Sequence, residues 1–236
     1  MFPVVGNFGG FELHTWGLLG ALGFLVVAGG GLMRCRQLGI RLEHAADALI
    51  AVGVAGILGA RLLFVLTVGG AGLLDLRSGG ASFFGAVIAG IPAGTLVARW
   101  RGLPIGSTWD AFCSAVPFGF ALSRVGCLAA GCCYGAPTDL PWAVALHGDL
   151  RHPTQLYEAG WQLLLGIALN AQWGSLRQRP GTLTLLWVLG TGAGRLVIEV
   201  VRGDPGRGAW GPLSVPQWIA LGLVGVAAGG LARARR

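Results

Sequence analysis

The stretch ADALIAVGVAGILGARLLFVLTV, residues 46–68, decides the fold class. Its 23 residues reach about 35 Å as a helix at about 1.5 Å per residue. That exceeds a bilayer core about 30 Å thick. Six further apolar windows lie around it, at residues 14–33, 82–98, 110–130, 154–171, 181–201 and 215–231. The whole chain is 54% apolar and 11% charged, less than half the roughly 25% charge of a soluble domain. Such a chain cannot cover a water-facing surface. The sequence therefore predicts an all-α polytopic membrane protein of about seven spans in a single domain, residues 1–236. Disordered, collagen-like and disulfide-scaffold classes are excluded.

A net charge of +7 would suggest nucleic acid in a soluble protein, but all 17 basic residues are Arg and they lie scattered between apolar runs. No nucleic-acid partner is expected. Arg34, Arg36, Arg41, Arg99, Arg101, Arg177, Arg179, Arg233, Arg235 and Arg236 fall on one side of the predicted spans, and Arg77, Arg151, Arg202 and Arg207 on the other. The positive-inside rule then puts the N-terminus outside and the C-terminus in the cytoplasm. No basic n-region precedes the first apolar stretch, so a cleavable signal peptide is not expected. The 43 Gly suit close helix approach, which small residues permit where lipid supplies no hydrophobic drive.

Three Arg remain inside predicted spans: Arg61, Arg124 and Arg195. Each lies roughly 21–23 Å from the cytoplasmic end of its span, at outer head-group depth. Buried membrane Arg face a protein interior or a wet cavity. Glu199, four residues after Arg195, is the one carboxylate that obviously accompanies them, with Arg202 three residues further on. If the helices converge, an uncompensated positive balance results, and its occupant would be an anion. The alternative is that each Arg bonds a backbone carbonyl or snorkels outward.

Three motifs carry chemistry. Arg124, Gly126, Gly131 and Gly135 form an R-x-G-x(4)-G-x(3)-G frame; His152-Pro153-Thr154-Gln155-Leu156-Tyr157-Glu158 opens the fifth span; Arg195, Glu199 and Arg202 form R-x(3)-E-x(2)-R. Both Tyr of the chain, Tyr134 and Tyr157, fall in these regions. Together the motifs resemble the prolipoprotein diacylglyceryl transferases of bacterial inner membranes. Gly59-Ala60-Arg61-Leu62 and Phe11-Glu12-Leu13-His14-Thr15-Trp16-Gly17 are lesser echoes. The resemblance covers nearly the whole chain.

It implies an enzyme that moves a diacylglyceryl group from phosphatidylglycerol to the lipobox cysteine thiol of a prolipoprotein signal peptide, releasing glycerol phosphate. The expected partners are those two substrates and membrane lipids, and the active site would face the outer leaflet. No metal or organic cofactor is expected. By the resemblance, Arg124 and Arg195 match the family's essential arginines and Glu199 its helix carboxylate. Two guanidiniums hold a phosphodiester bidentately and stabilise charge on the departing phosphate. Arg61 and Arg202 would support the field, Glu199 would orient Arg195, and Gly131 and Gly135 would let the loop approach the head group. Tyr134, Gln155, Tyr157 and Glu158 are assigned to substrate binding. For Glu158 a helix-dipole role stays open, and for the tyrosines an interfacial one. His152 either caps its helix or, with Cys132, assists the acceptor thiol.

Three departures from the family pattern stand out: Phe84 replaces a His, Cys127 and Cys132 replace Asn and Glu, and Trp16 replaces Tyr. Cys127, Cys132 and Cys133 read first as packed thiols, with a redox pair, catalytic thiols and a thiolate metal cluster near His147 and His152 as alternatives; C-x(4)-C-C is not a standard zinc pattern. Cys35 and Cys113 read as packing residues. The rival functions are a paralogue with another acceptor and a non-catalytic lipid-binding or transport protein.

Overall fold

The computed structural model describes residues 4–8, 11–68, 82–204 and 208–234. Arg77, Arg207, Arg235 and Arg236, used in the orientation argument, lie outside them, as does the side chain of Phe84. The chain is mostly helical, and each of the seven apolar windows is largely helix. Among the described residues, three helices are long and apolar enough to cross a membrane: α1 (Thr15–Gln37), α2 (Leu42–Val68) and α9 (Val215–Ala234). The bent pair α4 (Ile105–Cys113) and α5 (Val116–Ala130) makes a fourth if it counts as one span. The remaining helices are α3 (Phe83–Trp100), α6 (Thr154–Ala171), the one-turn α7 (Trp173–Leu176) and α8 (Thr182–Glu199).

Two compact units emerge, residues 32–108 and residues 1–31 with 109–236. In the first, α2 packs on α3 through glycines. A Cβ on Gly59 or Gly85 would collide with backbone of the facing helix, and one on Gly90 would lie 2.9 Å from the Val52 carbonyl oxygen. Arg101 pairs with Asp47 at 2.7 Å. Arg61 is buried in α2, its guanidinium 5.7 Å from the Phe64 ring centroid.

The second unit holds the motifs. Here α1 meets α5 at Gly23 and Gly119, and α6 meets α5 where Gly166 faces Pro117 and Phe118. The predicted single span 110–130 is instead broken by 42° between Cys113 and Val116. Pro117 in the first turn of α5 supplies no N–H. The Ser114 carbonyl freed at the break accepts a bond from Asn170 Nδ2 of α6 at 2.7 Å, so this buried backbone acceptor keeps a partner.

Asp110, read from sequence only as a favourable helix-start charge, caps a different helix. Its carboxylate accepts from Gly181 N (2.7 Å), Thr184 N (2.8 Å) and Thr184 Oγ1 (2.7 Å). Gly181 has no side chain to cap α8 itself, so Asp110 satisfies those N–H groups from outside. Cys35 and Cys113 are buried, as the packing reading expects.

Helix predominates as expected; among the described residues it is joined by three short two-stranded antiparallel hairpins: β1 (Val4–Phe8) with β2 (Phe11–His14), β3 (Val144–Leu146) with β4 (Asp149–Arg151), and β5 (Ala209–Trp210) with β6 (Leu213–Ser214). All are too short to alter a hydropathy window. The β3–β4 turn, His147-Gly148, has positive φ at both residues (54° and 86°), the geometry that matches strand twist in a two-residue hairpin.

Candidate active site

The site begins where α5 ends. Gly131 terminates the helix in the left-handed region at φ 72°, turning the chain so that Cys132 and Cys133 fold back beside Cys127. Cys133 itself sits at φ 63°, a conformation uncommon outside glycine. Two side chains from the start of α6 hold it there. Thr154 Oγ1 donates to the Cys133 carbonyl and Gln155 Nε2 to the Cys132 carbonyl, both at 2.7 Å. Gln155, assigned to substrate binding, is fully buried and holds this loop.

From there the chain runs between two others. Gly135 N donates to His152 O (3.0 Å), His152 N to Ala136 O (3.1 Å), Ala136 N to Val201 O (2.9 Å) and Gly203 N to Tyr134 O (3.2 Å). These bonds tie all three motifs together. A Cβ on Gly135 would lie 2.6 Å from His152 O and 2.8 Å from Val201 O, so only glycine fits between the flanking strands.

Knitting the backbones together brings the charges together. Glu158, in the second turn of α6, is buried. Its Oε2 lies 2.8 Å from Arg124 Nε of α5. Its Oε1 accepts from Arg195 Nη1 of α8 and lies 3.4 Å from Arg202 Nη1. Arg195 Nη2 also meets Glu199 at 3.1 Å, and Ser214 Oγ donates to the other Glu199 oxygen at 2.6 Å. Arg202 forms a two-pronged pair with Asp204, at 2.8 and 3.0 Å. The Arg124 guanidinium stacks 4.6 Å from the Phe120 ring centroid, and its Nη1 lies 3.7 Å from Cys133 Sγ.

This corrects the expected charge balance. Three guanidiniums meet three carboxylates: Glu158, Glu199 and Asp204. The expected positive excess is absent from this cluster. Glu158 does more than answer a helix dipole, and Asp204 and Ser214 were not singled out. Only Asp204 had a signal in the sequence, two residues after Arg202 and of opposite charge. Arg61 belongs to the other unit.

His152 does not cap α6, whose N-cap is Pro153 with no side-chain cap bond. Its Nδ1 lies 3.2 Å from Tyr157 OH, which accepts from Trp142 Nε1 at 2.8 Å. The phenol thereby fixes the imidazole. Tyr134 points elsewhere: its ring meets the His147 ring at 4.6 Å between centroids with a 42° tilt and lies under Arg151 at 5.0 Å. All five cysteines are free. Hydrogen bonds from the Cys127 and Cys132 thiols, with the charges of Arg124 and Arg202, hold the Cys133 thiol well below the ordinary thiol range. Hydrogen bonding to Cys127 and Cys133, with burial, holds Cys132 well above it.

An apolar groove of ≈ 490 Å³ runs between α6 and α8, lined in part by Leu156, Tyr157, Trp161, Leu164, Val197 and Ile198. The Trp161 ring lies over Gly194 and donates Nε1–H to Gly190 O at 2.8 Å. Glu158 and Arg195 come from the same two helices, so polar cluster and groove are neighbours.

The family described as prolipoprotein diacylglyceryl transferase matches residues 3–233. Similar curated proteins carry the name phosphatidylglycerol–prolipoprotein diacylglyceryl transferase. That of Clostridium tetani is 30% identical, over 94% of this chain and 93% of its own. That of Thermotoga maritima is 35% identical, over 83% and 73%. That of Methylobacillus flagellatus is 33% identical, over 94% and 92%.

Proposed function

This chain belongs to the prolipoprotein diacylglyceryl transferase family, and on that premise we propose that it transfers a diacylglyceryl group from phosphatidylglycerol to the cysteine thiol of a prolipoprotein lipobox. One observation supports this most. Arg124 and Arg195, from separate helices, lie in ion-pair reach of the two different oxygens of one carboxylate, Glu158, beside an apolar groove. Two guanidiniums spaced for two carboxylate oxygens are also spaced for two oxygens of a phosphodiester. The acyl chains then lie in the groove.

The phosphate enters by exchange: Glu158 gives up part of its hold on Arg124 and Arg195, and Glu199 keeps Arg195 oriented. As the C–O bond to phosphate breaks, both guanidiniums receive the developing charge. His152, aligned by Tyr157, takes the acceptor thiol proton. Arg202 stays with Asp204 and supports the field. Gly131 and Gly135 keep the loop close to the head group. The membrane setting completes the proposal: seven spans, N-terminus outside, C-terminus cytoplasmic, in a bacterial inner membrane with the site towards the outer leaflet.

Reconstitution with phosphatidylglycerol and a lipobox peptide, followed by mass measurement of the peptide, tests the reading. A diacylglyceryl adduct is expected. Its absence, with the Thermotoga maritima relative active in parallel, would refute it.

A further inference from the structure

The Sγ atoms of Cys127, Cys132 and Cys133 all lie within 4.8 Å of one another. The spacing C-x(4)-C-C argued against a metal, but linear spacing does not anticipate the reversal at Gly131. Sulfurs about 2.3 Å from a tetrahedral Zn²⁺ stand about 3.8 Å apart, which small thiol rotations reach from here. The backbone presenting them is fixed. Cys127 is on the last turn of α5, Cys132 N donates to Cys127 O at 3.1 Å, and the two following carbonyls are held by Gln155 and Thr154. Among the described residues the group consists of thiols alone, which selects a soft or borderline ion over Mg²⁺ or Ca²⁺. Three thiolates around a divalent ion leave one negative charge, and Arg124 Nη1, 3.7 Å from Cys133 Sγ, is placed to offset it. Cys132 is exposed, so the group is open on one side.

We propose that these three cysteines bind Zn²⁺ with a free fourth position, and that this position takes the acceptor cysteine thiol. Three protein ligands and one exchangeable site are the hallmark of a catalytic rather than structural zinc. The second half of the proposal rests on the transferase reading above. On coordination the acceptor S–H loses its proton to His152 or water, because a metal-bound thiol is deprotonated. The sulfur lone pair then forms the S–C bond to the glyceryl carbon. The C–O bond to phosphate breaks, and its electron pair leaves on the phosphate oxygen beside Arg124 and Arg195. The product thioether, a weaker ligand than a thiolate, departs from the ion. Arg124 thus touches both the nucleophile's site and the leaving group's site.

The test begins with metal binding alone. Detergent-purified, reduced protein is stripped with a chelator, then titrated with Zn²⁺ and with Co²⁺ as a spectroscopic probe. One ion per chain is expected, with thiolate-to-cobalt charge transfer and tetrahedral ligand-field bands. Cys127→Ser and Cys133→Ser should each weaken Zn²⁺ binding by more than about 100-fold, beyond the 10–100-fold typical of outer-shell losses. Cys132→Ala, at an exposed position, gives the same test without a risk to folding. A lipobox peptide should shift the cobalt bands, and the same peptide with Ser for Cys should not. No cobalt–thiolate charge transfer, or two of the three thiols found as a disulfide in metal-free protein kept under reductant, would overturn the site. Full transfer activity in zinc-free protein would overturn the role but leave the transferase reading standing. Zinc bound without any peptide adduct would do the reverse.

Discussion

Replacing Glu158 by Gln removes the carboxylate that pairs with Arg124 and, with it, contacts to Arg195 and Arg202. The three guanidinium side chains are 17%, 26% and 4% exposed, so solvent compensates only partly. Breaking a buried pair by removing one partner costs about 3–5 kcal/mol. Glu199 and Asp204 still serve Arg195 and Arg202, which places the loss near the lower end, about 3 kcal/mol. At roughly 2–4 °C per kcal/mol for a chain of this size, Tm falls by about 6–12 °C in zwitterionic detergent. Adding phosphatidylglycerol separates a structural pair from a phosphate site. A ligand stabilises the state it binds, by about 2.7 kcal/mol at a hundred times its Kd. The variant no longer has to displace its own carboxylate. Its gain in Tm from phosphatidylglycerol over phosphatidylcholine should therefore exceed that of the unsubstituted protein. In the transfer assay KM should fall and kcat fall with it, since tighter ground-state binding without the fixed guanidinium spacing does not lower the barrier. An unchanged Tm, or equal lipid-dependent gains in both proteins, would refute the reasoning.

Arg124→Lys and Arg195→Lys keep the charge but lose the planar fork, and each should lower transfer by about 100-fold or more, measured as adduct formed per minute. Gly135→Ala inserts a methyl between His152 and Val201 and should abolish activity together with the thermal transition, whereas Gly160→Ala, which meets nothing within 4 Å, should fold normally. Asp110→Ala strips three hydrogen bonds from the start of α8 and should cost about 2 kcal/mol, the upper range for a lost cap, with Asp110→Asn milder in thermal denaturation. Tyr157→Phe frees the His152 ring and should lower kcat while leaving metal content unchanged, a split that a folding defect would not produce.

The helices were legible because apolar windows of about 20 residues are unambiguous, and all seven windows are largely helical. The break before Pro117 was less so. A proline in the first turn is compatible with an uninterrupted reading of 110–130, and only Asn170, 56 residues away, makes the bend affordable. The hairpins escaped because strands of two to five residues do not register in a hydropathy window. Within the site, Arg195 and Glu199 were paired correctly from their i, i+4 spacing. The three arginine partners of Glu158 were not legible because they come from two other helices and a following loop, and no spacing along α6 points to them. The proximity of the three thiols was hidden for the same reason, since a left-handed turn at Gly131 brings together sulfurs that C-x(4)-C-C leaves apart in the sequence.

The neutrality of the cluster bears on how the proposed reaction turns over. A pocket with three unpaired guanidiniums would bind any anion, and would hold released glycerol phosphate as firmly as phosphatidylglycerol. With Glu158 as resident counter-ion, each entering phosphate must displace a carboxylate that already pairs in charge with Arg124 and hydrogen-bonds Arg195. Net affinity for the head group is then the difference between two ion-pair energies, and the acyl chains in the α6–α8 groove supply what the head group alone does not. Product loses those chains, and Glu158 returns. The cluster therefore discriminates by lipid tail while catalysing at the phosphate, and free glycerol phosphate should inhibit only weakly. Strong competitive inhibition by glycerol phosphate, at concentrations near the KM for phosphatidylglycerol, would contradict this exchange.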